Sequence, residues 1–219
     1  MRLGPVLAVF GMVALGGCAG RAPQGALALC GSLLCTPAER AQLAQALGLP
    51  SLDPPPASGA SYRVFAVDPY RKPLPAMLFT GGSDAAQVEV RQARPGANPL
   101  LLHASLSSAV WIRVERAYLK MDTRLSREAL LWRLSHPFGG RRGCSCMDGV
   151  SYELIVSAHG ESAREWGDGC GDAGADAASD MALIAMTAIP SCRGASRTGM
   201  ATQELEQCFP AADRAAGRS

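Results

Sequence analysis

The stretch from Val150 to Ala158 constrains the fold more than any other part of the chain. Val150, Tyr152, Leu154 and Val156 recur at every second position, the spacing of a strand that turns one face to a core. His159-Gly160 follows as a two-residue turn and Glu161–Trp166 as the returning strand, which predicts an antiparallel hairpin. A lone hairpin is marginal in water, so the rest of the chain must supply more strands and a covering layer.

Further strands are legible upstream. Tyr62, Val64 and Ala66 alternate with Arg63, Phe65 and Val67, and Gly81-Gly82-Ser83-Asp84 separates Met77–Phe79 from Gln87–Arg91 as a second hairpin. Pro95 to Pro99 turns the chain into Leu100–His103. Helices are marked by their ends. Thr36-Pro37-Ala38-Glu39 combines a cap, a first-turn proline and a capping-box glutamate, and Gly48 with Pro50 ends that helix. The segment from Ser107 is ambiguous in period. Leu106, Val110, Val114, Tyr118 and Met121 fit a helical stripe, which favours a helix, with Ser126 predicted to cap a second one that runs to Pro137. Ser179 is expected to start a helix through Met181, Ala185 and Ala188, and a shorter helix is expected over Met200 to Cys208. Runs of strands and helices without regular interleaving predict an α+β fold, a small antiparallel sheet packed against several helices, with an N-terminal helix and tether.

Composition narrows the function classes. The 219 residues carry 21 basic and 19 acidic side chains, a balance that offers no broad positive field to neutralise phosphates and argues against nucleic acid as a partner. Only Lys72 and Lys120 are lysines, and the arginines are spread among Ala, Gly and Pro, which reads as coding bias more than as recognition. Among catalytic sets, His103, His136 and His159 each have ordinary structural explanations, and no Gly-x-Ser-x-Gly elbow is present. Asp168, Asp172, Asp176 and Asp180 read as a solvated loop before a helix N-terminus, since the order of a calcium loop is lacking. Trp111, Trp132 and Trp166 read as core or rim residues. Nothing here names a catalytic residue or a cofactor, so the chain reads as non-enzymatic.

The N-terminus speaks to destination. Met1-Arg2 is followed by a charge-free apolar run, Leu3 to Leu15, too short to span a bilayer at roughly 20 residues, which describes a secretory signal peptide. It closes on Leu15-Gly16-Gly17-Cys18, which resembles the lipobox of bacterial lipoproteins. The resemblance implies that Cys18 receives a diacylglycerol thioether, that cleavage precedes it and that its new amine is acylated, with palmitate-like chains holding the membrane. Ala19, where an Asp would mark inner-membrane retention, implies the outer membrane with the body facing the periplasm. The expected organisation is a signal peptide over 1–17, a lipid-anchored tether with a short helix and Pro-rich linker over 18–60, an α+β domain over 61–209 and a flexible tail over 210–219. Partners would be the membrane and an envelope protein or glycan.

Export changes how the remaining cysteines are read. In an oxidising compartment disulfides are the default outcome. Counting outward from the His159-Gly160 turn sets 149 opposite 170, which brings Cys146 near Cys170; Cys30–Cys35 would clamp the first helix and Cys192–Cys208 the C-terminal one. Cys144 is then left over. The alternative is a soft-metal site in which Cys144, Cys146 and Met147, completed by His159 or Cys170, hold Cu(I) in a thiol-handling or copper-handling lipoprotein.

Overall fold

The computed structural model describes residues 36–55, 59–68, 72–81, 85–94, 96–135, 150–158, 161–168, 173–193, 195 and 201–209. In chain order the elements are α1 (Pro37–Ala46), β1 (Ala60–Val67), β2 (Ala76–Gly81), β3 (Ala86–Gln92), β4 (Leu100–Leu106), α2 (Ser108–Ser135), β5 (Ser151–Ala158), β6 (Glu161–Asp168), α3 (Ala173–Ala188) and α4 (Ala201–Glu204).

The strands form one six-stranded sheet in the order β4-β3-β2-β1-β5-β6, antiparallel at every step. Strands β1 to β4 form a meander, and the β5–β6 hairpin joins the free side of β1. Helix α2 makes the connection from one edge of the sheet back to β5 beside its centre. The register Ser151↔Asp168 through Ala158↔Glu161 is the one predicted from a two-residue turn.

Both faces of the sheet are covered, which explains why β1 reads as nearly continuous apolar sequence. On one face Tyr62, Val64, Ala66, Met77, Phe79, Val88, Val90, Leu154 and Val156 meet α2 and α3 in the main core. Helix α2 contributes Val114, Ala117 and Met121, and α3 contributes Ala178, Met181, Ala182 and Ala185, small enough to lie close on the strands. Lys120 pairs with Asp180 and Arg124 with Asp176, so the two helices run antiparallel. On the opposite face, Phe65, Val67, Ala76, Leu78 and Ile155 meet Leu43, Ala44 and Leu47 of α1 and Leu52 beyond it.

Four expectations are corrected here. The helix that starts at Ser107 does not stop before Ser126: α2 is continuous to Ser135, because no Gly or Pro interrupts Asp122–Leu125 and Ser126 lies inside the helix. Helix α3 starts at Ala173, not Ser179. Burial of Ala175, Ala177 and Ala178 against the core offsets the cost of about 1 kcal/mol for helical Gly174. Asp176 therefore stands on the helix and not in the loop before it, one turn ahead of Asp180, and Asp168 ends β6. The proline-rich stretch after α1 is not a free linker over its described length. Leu52 is buried, Ser157 Oγ donates to the Pro55 carbonyl at 2.9 Å, and Arg63 donates to the Asp53 carbonyl at 3.1 Å.

Candidate functional site

Helix α1 sits where it does because both its ends are specified. The Thr36 hydroxyl accepts from the Glu39 amide at 3.1 Å while Glu39 accepts from the Thr36 amide at 3.0 Å, the reciprocal capping box. At the other end the Leu49 amide donates to the Ala44 carbonyl at 2.8 Å and the Gly48 amide to the Gln45 carbonyl at 3.0 Å, a Schellman closure. Gly48 adopts the required positive φ of 64° and abuts Pro99. Arg91 of β3 then donates to the Leu47 and Gly48 carbonyls, both at 3.0 Å, placing a cation at the negative end of the helix.

Beside that pinned terminus lies a cleft of about 1120 Å³. Gln42 and Gln45 of α1 form one wall, Gln92 to Arg94 at the end of β3 with Gly96 to Pro99 a second, and Lys72-Pro73 after β1 a third. The third wall is tied down locally: the Lys72 amide donates to Asp68 Oδ1 at 2.8 Å, the Asp68 amide to the Lys72 carbonyl at 3.0 Å, and the Leu74 amide to the Ala66 carbonyl at 2.9 Å. The lining mixes four amides, Gln42, Gln45, Gln92 and Asn98, and two cations, Lys72 and Arg94, with Ala, Gly and Pro, and none of the described lining residues is acidic. Lys72 reaches outward to Glu206 at 2.9 Å in an exposed pair. Side-chain amides offer both donors and acceptors, so these walls suit a polar, hydroxyl- or carboxylate-bearing ligand.

Beneath α1, on the same face of the sheet, lies a charged cluster. Glu153 of β5 has a side chain only 2% exposed, and Arg40 Nη1 donates to both its oxygens at 3.0 and 3.1 Å. Arg164 of β6 approaches Glu153 Oε1 through Nε at 3.2 Å and donates from Nη2 to Asp53 Oδ1 at 3.0 Å. The Arg164 Nε approach is an ion-pair contact without hydrogen-bond alignment, and Arg40 Nη2, 3.9 Å from Asp53 Oδ1, is likewise buried without a hydrogen bond. The Arg164 hydrogen bond, followed by that from Ser51, holds the Asp53 carboxyl below its ordinary value. Arg63, in the same layer, has its guanidinium pushed down first by burial and then by Arg91. Arg40, Arg63, Arg91 and Arg164 thus stand together between helix and sheet, matched by Asp53, Glu89 and Glu153. The cluster fastens α1 to the sheet, and its described carboxylates are engaged by arginines.

Comparison of the chain with protein-family models, curated proteins and solved structures finds no match.

The fate of the sequence candidates is uneven. Cys192 and Cys208 form a disulfide with Cα atoms 4.5 Å apart, both buried, tying the turn after α3 to the end of the α4 segment. Cys18, Cys30, Cys35, Cys144, Cys146, Met147, His159 and Cys170 lie outside the described residues, and so does His136. Among the described residues no group of three or more His, Cys, Asp or Glu could hold a metal, and no helix is long and apolar enough to cross a membrane. His103 is exposed on β4. Trp111 is a rim residue: its indole lies 5.6 Å from the Tyr62 ring and its Nε1 donates to Glu115 at 2.9 Å. The arginine layer was missed because the arginines read as coding bias. The available signal was their phase, since Arg63 and Glu153 alternate with Phe65, Val67 and Ile155 on the α1 side of their strands, and Arg91 and Arg164 pair with Ala76 and Ile155 on that same side.

Proposed function

We propose that this chain is a lipid-anchored lipoprotein of the cell envelope, with a non-enzymatic α+β body that binds a polar envelope component, a protein or a glycan, at the cleft beside α1. One observation carries the anchoring: Leu15-Gly16-Gly17-Cys18 stands directly after a charge-free apolar run that is long enough for export and too short to span. The Cys192–Cys208 disulfide supports it, since such bonds persist in oxidising compartments. Two or more acyl chains, at about 0.8 kcal/mol per buried methylene, hold a body of this size at a leaflet without a membrane-spanning helix. The binding role is supported by the four side-chain amides and two cations that the cleft presents among small apolar residues, and by the tying down of its α1 and Lys72 walls.

Replacing Cys18 with Ala tests the anchor. The expected result is loss of fatty-acid-analogue labelling and release from the membrane fraction. Unchanged labelling and fractionation would overturn the reading.

A further inference from the structure

The two edges of the sheet are guarded very differently. Strand β6 carries Glu161, Arg164, Glu165 and Asp168, charges that resist pairing with another strand. Strand β4, at the opposite edge, reads Leu-Leu-Leu-His-Ala-Ser-Leu, with no formal charge, no proline and a regular ladder to β3 along its whole length. Among the described residues no strand pairs with its outer side. Leu101 is 50% exposed there, on the face it shares with His103 and Ser105. A straight, uncharged edge of this length is a template for strand addition, and soluble proteins ordinarily blunt it.

We propose that β4 is a homodimer interface, on which a second copy adds its own β4 antiparallel about a two-fold axis through His103. The sequence of β4 is complementary to itself in that register. Leu100 meets Leu106 of the second copy and Leu102 meets its Ala104 on the core face, so the apolar layer continues across the axis. On the other face Leu101 meets Ser105 of the second copy and is covered by it. The two His103 side chains meet on the axis, each also opposite Glu89 of its own β3. An isologous pairing of this kind closes on itself, leaving the charged β6 strands as the outer edges of a twelve-stranded sheet and stopping further growth. The occupant is another copy of this chain, because in this register every β4 residue meets one from the same face and the charged β6 strands are left outermost, so the assembly ends at two copies.

The test uses the full chain in detergent, with its mass followed by sedimentation. The wild type is expected to show a monomer–dimer equilibrium. His103→Lys places two ammonium groups directly across the axis and should raise the dissociation constant about fivefold, as should the like-charge pair in His103→Glu. Mixing the two variants should restore dimer as a Lys–Glu heterodimer, which only a residue paired with its own copy can do. Leu101→Lys, on an exposed position that the fold does not require, gives a second variant expected to weaken the dimer. A wild type that stays monomeric up to roughly 100 μM, or a dimer indifferent to His103→Lys and unchanged in the mixture, would overturn the assignment.

Discussion

Glu153→Gln isolates the electrostatic part of how α1 is held on the sheet. The substitution keeps the shape of the side chain and removes its charge. Arg40 and Arg164, each about one-fifth exposed, would then face one another with only Asp53 as counter-charge, itself 73% exposed and poorly able to compensate. Breaking a buried pair from one side costs about 3–5 kcal/mol, because it leaves uncompensated charge in low dielectric. The amide oxygen still accepts one bond from Arg40, so the lower end, about 3 kcal/mol, is expected. For a chain of this size that lowers the melting temperature by about 6–12 °C. A cycle with Arg40→Met measures the coupling: once Arg40 is gone, Glu153→Gln should cost much less, because part of the stranded charge has left with it. The assay is thermal and denaturant unfolding, with hydrogen exchange of the α1 amides as a local readout. A loss below about 1 kcal/mol, the scale of an exposed pair, would refute the reasoning and mean that water reaches Glu153.

Other expectations follow from the same framework. Burial, then Glu115 and Tyr118, push the Tyr62 hydroxyl up from 10.0 to about 12, so the folded chain keeps a proton that the unfolded chain releases. Stability should therefore fall as pH rises across that window, and Tyr62→Phe should flatten the fall seen in alkaline melts. Asp53 works the other way: its lowered value contributes stability above its ordinary 3.8 that is lost as pH falls below it, a loss that Asp53→Asn should remove from acid titrations. Gly81→Ala would drive a Cβ into the Trp111 indole carbons and should cost about 1–3 kcal/mol, with a change in tryptophan emission as the ring moves off Tyr62. Cys192 and Cys208 are 16 residues apart, so the double serine variant should lose about 3 kcal/mol, measured as unfolding with and without reductant.

The sheet was legible because its signals are local. Alternation at Val150–Ala158, the turn at His159-Gly160 and the Gly81–Asp84 break each depend on a handful of neighbours; the β5–β6 register follows by counting from its turn, whereas β2 and β3 pair two residues away from the count, with Gly81 itself in the ladder opposite Ala86. The capping box at Thr36 and Glu39 was legible for the same reason. What sequence left ambiguous is set by contacts distant along the chain. Gly174 in α3 is a loop residue by propensity and helical because Ala177 and Ala178 pack on the sheet. Asp53 and Pro55 read as linker because nothing near them announces Arg63 and Ser157 as partners. The charged layer under α1 needed the pairing of Arg40 with Glu153, 113 residues away. The cleft was not foreseen, because its walls come from three separated segments whose glutamines and asparagine carry no motif.

The position of α1 has a mechanical consequence. Tension delivered at Thr36 enters the first turn of α1, the end that carries Arg40. A pull directed away from the sheet would load the Arg40–Glu153 clamp first, and only afterwards the apolar row of Leu43, Ala44 and Leu47. The strands sit behind that row, so the helix can peel away turn by turn while the six-stranded ladder stays intact, a sacrificial fastening that yields before the platform does.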